Sequence, residues 1–228
     1  MNDMHDGPGV VILGAGLHAK LIIEYLEMNG QHPVAVLDDN SRKHGTRVKG
    51  VPVVGPMSLL PEMKRREVVI GVVLGFGNIR LRAKRIELFR WASELGVDLL
   101  RVVHPSAVFA PSATVSRGFF AGPLAVVNTD TQLGDDVTIY TGSTIDHDNV
   151  IGDHVFISPG VHTAGQVHIE SGAYIGPGAV IGSQCRIGAG SIVGAGAVVI
   201  ADVPPGCLVA GVPARMLKSV EQWEQDQS

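Results

Sequence analysis

The sequence contains little cysteine, few aromatic residues and no excess of basic charge. Of its 228 residues only Cys185 and Cys207 are cysteines, and aromatic residues make up 5%. Neither cysteine lies in a C-x-x-C or Cys/His pattern, so the sequence indicates no disulfide scaffold and no structural metal site. A formal net charge of −4 at pH 7 disfavours nucleic acid or an anionic membrane as the main partner.

Long hydrophobic runs are also missing. The apolar run at 68–77 is roughly half as long as the ~20 residues that cross a bilayer. The N-terminus carries Asp3 and Asp6 instead of a signal-type apolar stretch. We therefore expect a soluble protein of the reducing cytoplasm with no membrane partner.

Residues 1–104 alternate short apolar runs with helical stretches. The apolar runs lie at 10–13, 33–39, 51–55, 68–75 and 99–103. They are continuously apolar, which is typical of parallel strands covered by helices on both faces. The pattern predicts an N-terminal α/β domain with a small parallel sheet of four or five strands, similar to a truncated Rossmann fold.

A six-residue repeat replaces this pattern after Pro105. Glycine is abundant, with 29 residues in the chain, and a position that is apolar in all but one repeat recurs at every sixth residue. The recurring positions are Phe109, Val115, Ala121, Val127, Leu133, Ile139, Ile145, Ile151, Ile157, Thr163, Ile169, Ile175, Ile181, Ile187, Val193 and Val199. A constant period indicates a solenoid, whereas a β-sandwich would tolerate loops of varying length. We predict a parallel β-helix of triangular coils over 105–217, followed by a tail at 218–228.

The segment GAGLHAK at 14–20 follows a predicted strand and opens a helix. Gly14 suits the turn, Gly16 suits close approach of a phosphate, and a helix N-terminus favours negative charge. Asp38 and Asp39 end the next strand, where a carboxylate can bind hydroxyl groups of a nucleotide. The domain is too short for two mononucleotide halves, so one nucleotide fits better than two. A ligand-free glycine turn and a solvated His18 remain alternatives.

In the repeat region, His147 lies between Asp146 and Asp148. A histidine beside a carboxylate can act as a general base, because the carboxylate orients the ring and stabilises its protonated form. A solvated surface histidine is the alternative. Cys185 occupies a small inward position and is interpreted as packing. The basic residues at 64–66 and 80–85 are interpreted as solvated helix faces, with Arg80 as an exception worth testing.

Several segments together resemble one family. They are GAGLHAK (14–20), the Asp38–Asp39 pair, G-x-x-N-x-R (75–80), HPSA (104–107), DHD (146–148), IGDHVFISPG (151–160) and GVPAR (211–215). With the repeats, they look like the sialic-acid O-acyltransferase family (NeuD/PglD type) of hexapeptide-repeat acyltransferases, close to nucleotide-4-amino-sugar N-acetyltransferases. The resemblance covers nearly all of 10–217. It implies a left-handed β-helix, a homotrimer, acetyl-CoA as co-substrate and no metal.

The resemblance also implies roles for individual residues. His147 would be the catalytic base, with Asp148 raising its basicity. The sugar-nucleotide site would contain Gly14, Gly16, Leu17, His18, Asp38, Asp39 and Gly75. The acyl-CoA groove would be lined by Gly165, Pro177 and Ala195. This sequence departs from the family at Phe156, where a histidine is common, and at Gly75-Phe76-Gly77, where many members have Gly-Asn-Asn.

The expected function is acetyl-CoA-dependent N-acetylation of a nucleotide-linked 4-amino-4,6-dideoxy sugar in bacterial surface glycan biosynthesis. O-Acetylation of a sialic-acid-like sugar is the first alternative. A zinc hydratase of the γ-carbonic-anhydrase type, using His147, His154, His162 and His168, is a second. A non-catalytic sugar-nucleotide-binding protein is a third.

Overall fold

The computed structural model describes residues 8–226 and separates into two compact units that meet in sequence at Pro105 and Ser106. Asp3 and Asp6 lie outside the described residues. Among the residues described, no helix is long and apolar enough to cross a membrane.

The N-terminal unit contains the predicted α/β sheet. Its helices and strands are β1 Gly9–Leu13, α1 Leu17–Met28, β2 Pro33–Leu37, β3 Arg47–Val48, β4 Val51–Gly55, α2 Leu60–Arg65, β5 Val69–Leu74, α3 Arg82–Glu94 and β6 Val102–Val103. The sheet has the order β3-β4-β2-β1-β5, and every pair is parallel except the short β3–β4 hairpin. Strand β1 lies inside the sheet, and Val10 to Leu13 are fully buried, as is typical of a parallel strand that is covered on both faces.

The strand expected at 99–103 is shorter than predicted. Leu99 forms only an isolated bridge to Val72, and β6, at the end of this segment, is not a strand of this sheet. The loop after α3 uses its apolar residues Val97 and Leu99 to cover the core of the unit instead of extending the sheet.

The C-terminal unit is a β-helix of two-residue strands. They are β7 Val108–Phe109, β8 Thr114–Val115, β9 Phe120–Ala121, β10 Val126–Val127, β11 Gln132–Leu133, β12 Thr138–Ile139, β13 Thr144–Ile145, β14 Val150–Ile151, β15 Phe156–Ile157, β16 His162–Thr163, β17 His168–Ile169, β18 Tyr174–Ile175, β19 Val180–Ile181, β20 Arg186–Ile187, β21 Ile192–Val193 and β22 Val198–Val199. Each pairs in parallel with the strand eighteen residues away, as Thr144 does with Val126 and His162.

Every third strand therefore belongs to one of three faces of a prism. The first face contains β7, β10, β13, β16, β19 and β22; the second contains β8, β11, β14, β17 and β20; the third contains β9, β12, β15, β18 and β21. The recurring apolar positions point inward. They are buried from Ala121 to Val199, whereas Phe109 and Val115, in the first coil, are partly exposed.

Glycine serves two different needs at the corners of the prism. Gly142 has φ of 68°, a left-handed conformation that the corner requires three residues after an inward position. Gly152 follows an inward residue directly, and a Cβ there would lie 2.8 Å from the backbone nitrogen of Ser171 in the next coil. The high glycine content thus follows from sharp corners and close stacking of coils.

The end of the chain closes the β-helix. Strand β23, Cys207–Ala210, extends the third face, and β24, Arg215–Ser219, pairs with it in antiparallel fashion. Helix α4, Val220–Gln225, follows immediately, and Ser219 and Gln222 cap its N-terminus reciprocally.

Candidate functional site

His147 and Asp148 lie together at the corner between β13 and β14, where the chain passes from the first face to the second. Nδ1 of His147 is 2.7 Å from Oδ2 of Asp148, and both side chains are about half exposed, at 53% and 52%. The backbone N–H of His147 donates to Oδ1 of Asp146 at 2.9 Å. When Nδ1 donates to Asp148, Nε2 is the nitrogen that can accept a proton.

The carboxylates make the imidazole more basic. The hydrogen bond that His147 donates to Asp148 raises the pKa of His147 above its ordinary value of 6.5, and the charge of Asp146 adds to this effect. A raised pKa strengthens the base, because the imidazolium that forms on proton uptake is stabilised.

Asn149, which is fully buried, stabilises the backbone of this corner through hydrogen bonds. Its Nδ2 donates to the carbonyl oxygens of Asp146 at 2.7 Å, His147 at 3.1 Å and Ala164 at 3.0 Å. Oγ1 of Thr131 donates to the carbonyl of Asp146 at 2.7 Å. The sequence contained a signal for Asn149, an amide at the repeat position where small residues are usual, but our interpretation missed it.

Gly165 lies one coil further along the same corner, against the histidine ring. A Cβ on Gly165 would lie 2.5 Å from both Cε1 and Nε2 of His147, so only glycine leaves room for the ring. The Gly165 carbonyl accepts from Ser183 Oγ at 3.0 Å and Gln184 N at 3.1 Å. These bonds fix the Gly165 peptide relative to His147.

Pro177 and Ala195, the other residues expected in the groove, do not lie at that corner. Pro177 falls between β18 and β19, where the third face meets the first, and Ala195 lies one coil beyond it. A Cβ on Gly176 would be 2.7 Å from the backbone nitrogen of Ala195, so these coils touch. His147 with Gly165 and Pro177 with Ala195 therefore bound opposite edges of the first face.

In the N-terminal unit, the glycines predicted at the sugar-nucleotide site separate into two kinds. Gly14 has φ of 107°, and a Cβ there would lie 2.8 Å from the Phe76 ring. A Cβ on Gly75, which is buried, would lie 2.2 Å from the carbonyl oxygen of Gly14. Gly16 is exposed and has φ of −88°. A Cβ added there would have one atom within 4 Å, the Gly75 carbonyl oxygen at 3.5 Å. The fold therefore requires glycine at positions 14 and 75, but it does not require glycine at position 16.

The two aspartates after β2 have different surroundings. Oδ2 of Asp38 accepts from Ala15 N and Lys43 Nζ, each at 2.8 Å, and Oδ1 accepts from Asn40 N at 2.9 Å. Burial by itself would raise the pKa of Asp38, but the bonds from Lys43, Ala15 and Asn40 outweigh it and hold the pKa below 3.8. Asp38 therefore braces the glycine loop.

Asp39 is exposed and accepts from Met57 N at 2.9 Å through Oδ1. Its other carboxylate oxygen has no hydrogen-bond partner within residues 8–226. Asp39 can therefore offer an oxygen to a ligand without breaking a bond of the fold.

His18 is buried, so the alternative of a solvated first-turn residue is wrong. Its residue exposure is 6%, and burial together with the nearby charge of Arg85 lowers its pKa to about 3. The imidazole is therefore neutral at physiological pH. The preceding Leu17 is 79% exposed and lies on the open side of the loop.

A basic pocket of about 480 Å³ lies beside Gly16. It is lined by Ala15, Gly16, Leu17, Lys20, Arg47, Val48 and Lys49. Lys20 has no hydrogen-bond or ion-pair partner in the part of the chain that is described, and Lys49 pairs with Glu24. Arg47 and Lys49 were missed as site residues, because only the folded β3–β4 hairpin brings them to the first turn of α1.

The histidines considered for a zinc site are dispersed over the prism. His154 Nδ1 is 3.1 Å from Asp136 Oδ2, and His162 Nδ1 is 2.8 Å from Thr144 Oγ1. His168 lies outward on the second face. In residues 8–226 of a single chain, no group of three or more His, Cys, Asp or Glu residues has an arrangement that would hold a metal ion.

Comparison with known proteins identifies both units. Residues 9–89 match the PglD N-terminal domain family, and residues 150–183 and 167–201 match the bacterial transferase hexapeptide (six repeats) family. The perosamine N-acetyltransferase of Caulobacter crescentus, solved as a histidine-to-asparagine variant with CoA and GDP-perosamine, is 37% identical with a TM-score of 0.86; the match covers 92% of this chain and 97% of that chain.

Two further solved structures are similar over the same extent. The acetyltransferase domain of PglB from Neisseria gonorrhoeae, in complex with acetyl coenzyme A, is 34% identical with a TM-score of 0.83, covering 92% of this chain and 100% of that chain. WeeI from Acinetobacter baumannii is 30% identical with a TM-score of 0.81, covering 91% and 99%. The chain therefore belongs to the sialic-acid O-acyltransferase family (NeuD/PglD type) of hexapeptide-repeat acyltransferases, a family of acyl-CoA-dependent sugar acetyltransferases.

Proposed function

We propose that this protein transfers an acetyl group from acetyl-CoA to the amino group of a nucleotide-linked 4-amino-4,6-dideoxy sugar, as a step in bacterial surface glycan biosynthesis. The observation that carries the proposal is the corner at which His147, paired with Asp148, lies against Gly165. A similar protein at 37% identity was solved with CoA and GDP-perosamine. Acetyl-CoA and nucleotide sugars are metabolites of the cytoplasm, so we assign the reaction to that compartment.

In the proposed reaction His147 acts as general base. The sugar amine attacks the thioester carbonyl, a C–N bond forms, and Nε2 of His147 takes the amine proton while Asp148 stabilises the imidazolium. The Gly165 N–H is the donor we assign to the developing oxyanion. When the C–S bond breaks, the imidazolium returns its proton to the departing thiolate, and no protein nucleophile is needed.

Cys185 is unsuited to carry the acetyl group. It is buried at an inward position of the β-helix, and burial raises the pKa of its thiol, with a further contribution from Asp202. A protonated, buried thiol is a poor nucleophile. Direct transfer within a ternary complex is therefore the simpler route.

The diphosphate of the sugar nucleotide is assigned to the basic pocket beside Gly16. Exposed N–H groups at the start of α1 and the cations Lys20, Arg47 and Lys49 favour an anion there. The unpartnered oxygen of Asp39 is the acceptor we assign to a ribose or base hydroxyl or N–H group.

The proposed activity is tested by thiol release from acetyl-CoA in the presence of UDP-, GDP- and dTDP-linked 4-amino sugars. We expect turnover with one of them, and mass spectrometry should find a single N-acetyl group on the product. A 4-hydroxy analogue of the accepted sugar serves as control and should not be acetylated, since it lacks the amine. Turnover of a sialic-acid-like sugar alone would indicate O-acetylation and refute the proposal.

We propose that the protein assembles as a trimer in which the first and third faces of the prism are covered. Outward residues on the first face are mainly valines, and Phe120, Tyr140, Phe156 and Tyr174 form a row of contacting rings along the third face, with centroids 5.1 to 5.4 Å apart. The second face is more polar, since four of its five outward residues are Thr114, Gln132, His168 and Arg186, and the fifth is Val150. We propose that neighbouring copies pack against the apolar faces and complete the acyl-CoA groove over the first face.

Two matched valines test this arrangement. Val180 lies outward on the first face and is 39% exposed, whereas Val150 lies outward on the second and is 38% exposed. Val180→Glu should dissociate the assembly, because it buries an unpaired carboxylate between subunits, while Val150→Glu should leave it intact. Light scattering should give three times 24.0 kDa for the wild type. A fully active wild-type monomer, or equal effects of the two substitutions, would refute the shared groove.

A further inference from the structure

Arg85 differs from the other basic residues of its segment. The basic residues at 80–85 were expected to form a solvated helix face, and for Arg85 this is wrong, since the residue is only 7% exposed. Its Nη1 donates to the carbonyl oxygen of Phe76 at 2.6 Å and to that of Leu74 at 3.3 Å. Leu74 is the last residue of β5, so the guanidinium holds the point where this strand becomes a loop.

That loop supports the glycine loop of the proposed sugar-nucleotide site. The N–H of Gly75 donates to the Leu13 carbonyl at 2.7 Å, and Gly75 leaves no room for a Cβ beside the Gly14 carbonyl. The Phe76 ring lies directly on Gly14. A displacement of residues 75–76 therefore displaces Gly14, and with it the backbone that leads to Gly16.

Stability alone does not account for a buried guanidinium. Removing a charged group from water is energetically costly, and apolar replacements of buried ion pairs are often neutral or stabilising. The two hydrogen bonds that Arg85 donates to this loop have fixed directions, because the guanidinium is a rigid planar donor. Arg85 also lies near His18 at the first turn of α1, as its effect on the His18 pKa indicates.

We infer that Arg85 is a positioning residue of the sugar-nucleotide site, which fixes the loop at 74–76 against Gly14 so that the Gly14–Gly16 backbone is preformed for the nucleotide diphosphate. This inference rests on the proposed function. Arg85 acts through the loop and does not itself touch the substrate.

Steady-state kinetics of Arg85→Met and Arg85→Lys test the inference. Lys84→Met is the matched control, because Lys84 precedes Arg85 on the same helix, is 39% exposed and pairs with Glu87 at 3.0 Å. Arg85→Met should raise KM for the 4-amino sugar nucleotide about 10- to 100-fold, as expected when hydrogen bonds to a charged group are lost. KM for acetyl-CoA should stay within about twofold. Arg85→Lys should recover part of the loss, since an ammonium group can still donate to one carbonyl.

Thermal shifts separate positioning from a purely structural role. The nucleoside diphosphate of the accepted sugar (GDP, UDP or dTDP) should stabilise the wild type and Lys84→Met, but stabilise Arg85→Met much less. CoA should stabilise all three proteins equally. Equal nucleotide shifts in the wild type and Arg85→Met, or parallel rises of both KM values, would overturn the inference. If Arg85→Met does not fold, Arg85→Lys decides, and an unchanged sugar-nucleotide KM would refute the role.

The thermal measurements also distinguish this inference from the proposed function. Nucleotide binding that depends on Arg85, without acetyl transfer to any amino sugar, would refute the function and keep the positioning role. Acetyl transfer that is unaffected by Arg85→Met would support the proposed function and refute the positioning role. No stabilisation of the wild type by GDP, UDP or dTDP would overturn both.

Discussion

Replacement of His147 by alanine is expected to lower kcat by roughly 10²–10⁴-fold, the usual contribution of a positioned general base. The expectation follows from the geometry of the ring, whose Nδ1 is engaged by Asp148 at 2.7 Å while Nε2 lies beside Gly165. The amine of a 4-amino sugar is largely protonated near neutral pH and must lose a proton to attack. Without the imidazole, Asp146 and Asp148 remain at this corner, and carboxylates are weaker bases than an imidazole.

The KM values of His147→Ala for both substrates should change little, because the base acts mainly in the transition state. His168→Ala is a suitable control, since His168 is also exposed on the β-helix but lies outward on the second face. It should retain wild-type kcat. Near-normal activity of a folded His147→Ala protein would make the assignment wrong, and His154 or His162 would be the next base to examine.

The pH dependence of kcat/KM gives an independent readout of the same pair. The base is active when neutral, and Asp148 raises the pKa of His147, so the acid limb of the wild type should have its midpoint above pH 6.5. Asp148→Asn removes the charge that stabilises the imidazolium and should move this midpoint to lower pH. It should reduce kcat less than His147→Ala does. A midpoint that stays unchanged in Asp148→Asn would show that another group titrates.

The β-helix could be predicted closely from the sequence because its contacts repeat at one fixed separation. Each strand pairs with the strand eighteen residues away, so the six-residue period specifies both the inward positions and their partners. The His147–Asp148 pair was predictable for the same reason, as the two residues are adjacent at a corner. Asn149 could not be predicted in this way. Its buried amide donates hydrogen bonds to carbonyl oxygens of two coils, and the six-residue period does not specify side-chain hydrogen bonds.

The N-terminal unit was predictable only in outline. Its apolar runs indicate parallel strands, but they do not say which side of a helix faces the sheet. The burial of His18 and Arg85 depends on contacts between α1, α3 and the loop after β5, which lie far apart in sequence. Asp38 was expected to bind nucleotide hydroxyls, and the structure instead occupies both of its oxygens with groups of the fold. Side chains of this kind are fixed by tertiary contacts.

The glycines around the proposed diphosphate pocket give a second large effect. Gly16→Val should weaken sugar-nucleotide binding by roughly 100-fold, because a side chain enters the space through which a phosphate must approach the backbone. The fold itself should tolerate the change: φ at Gly16 is −88°, and the added Cβ would find only one atom, at 3.5 Å. Acetyl-CoA binding should survive, since we assign it to the β-helix.

Gly75→Ala is the matched comparison, and it should destabilise the fold instead of selectively weakening nucleotide binding. Its Cβ would lie 2.2 Å from the Gly14 carbonyl oxygen, a backbone atom that the β1–β5 pairing prevents from moving away. We therefore expect Gly75→Ala to lower the melting temperature markedly, and Gly16→Val to leave it near the wild-type value while abolishing stabilisation by GDP or UDP. Calorimetry with and without each ligand measures both effects. If Gly16→Val lost CoA and nucleotide binding equally, or bound nucleotide normally, Gly16 would not be the point at which the phosphate approaches the chain.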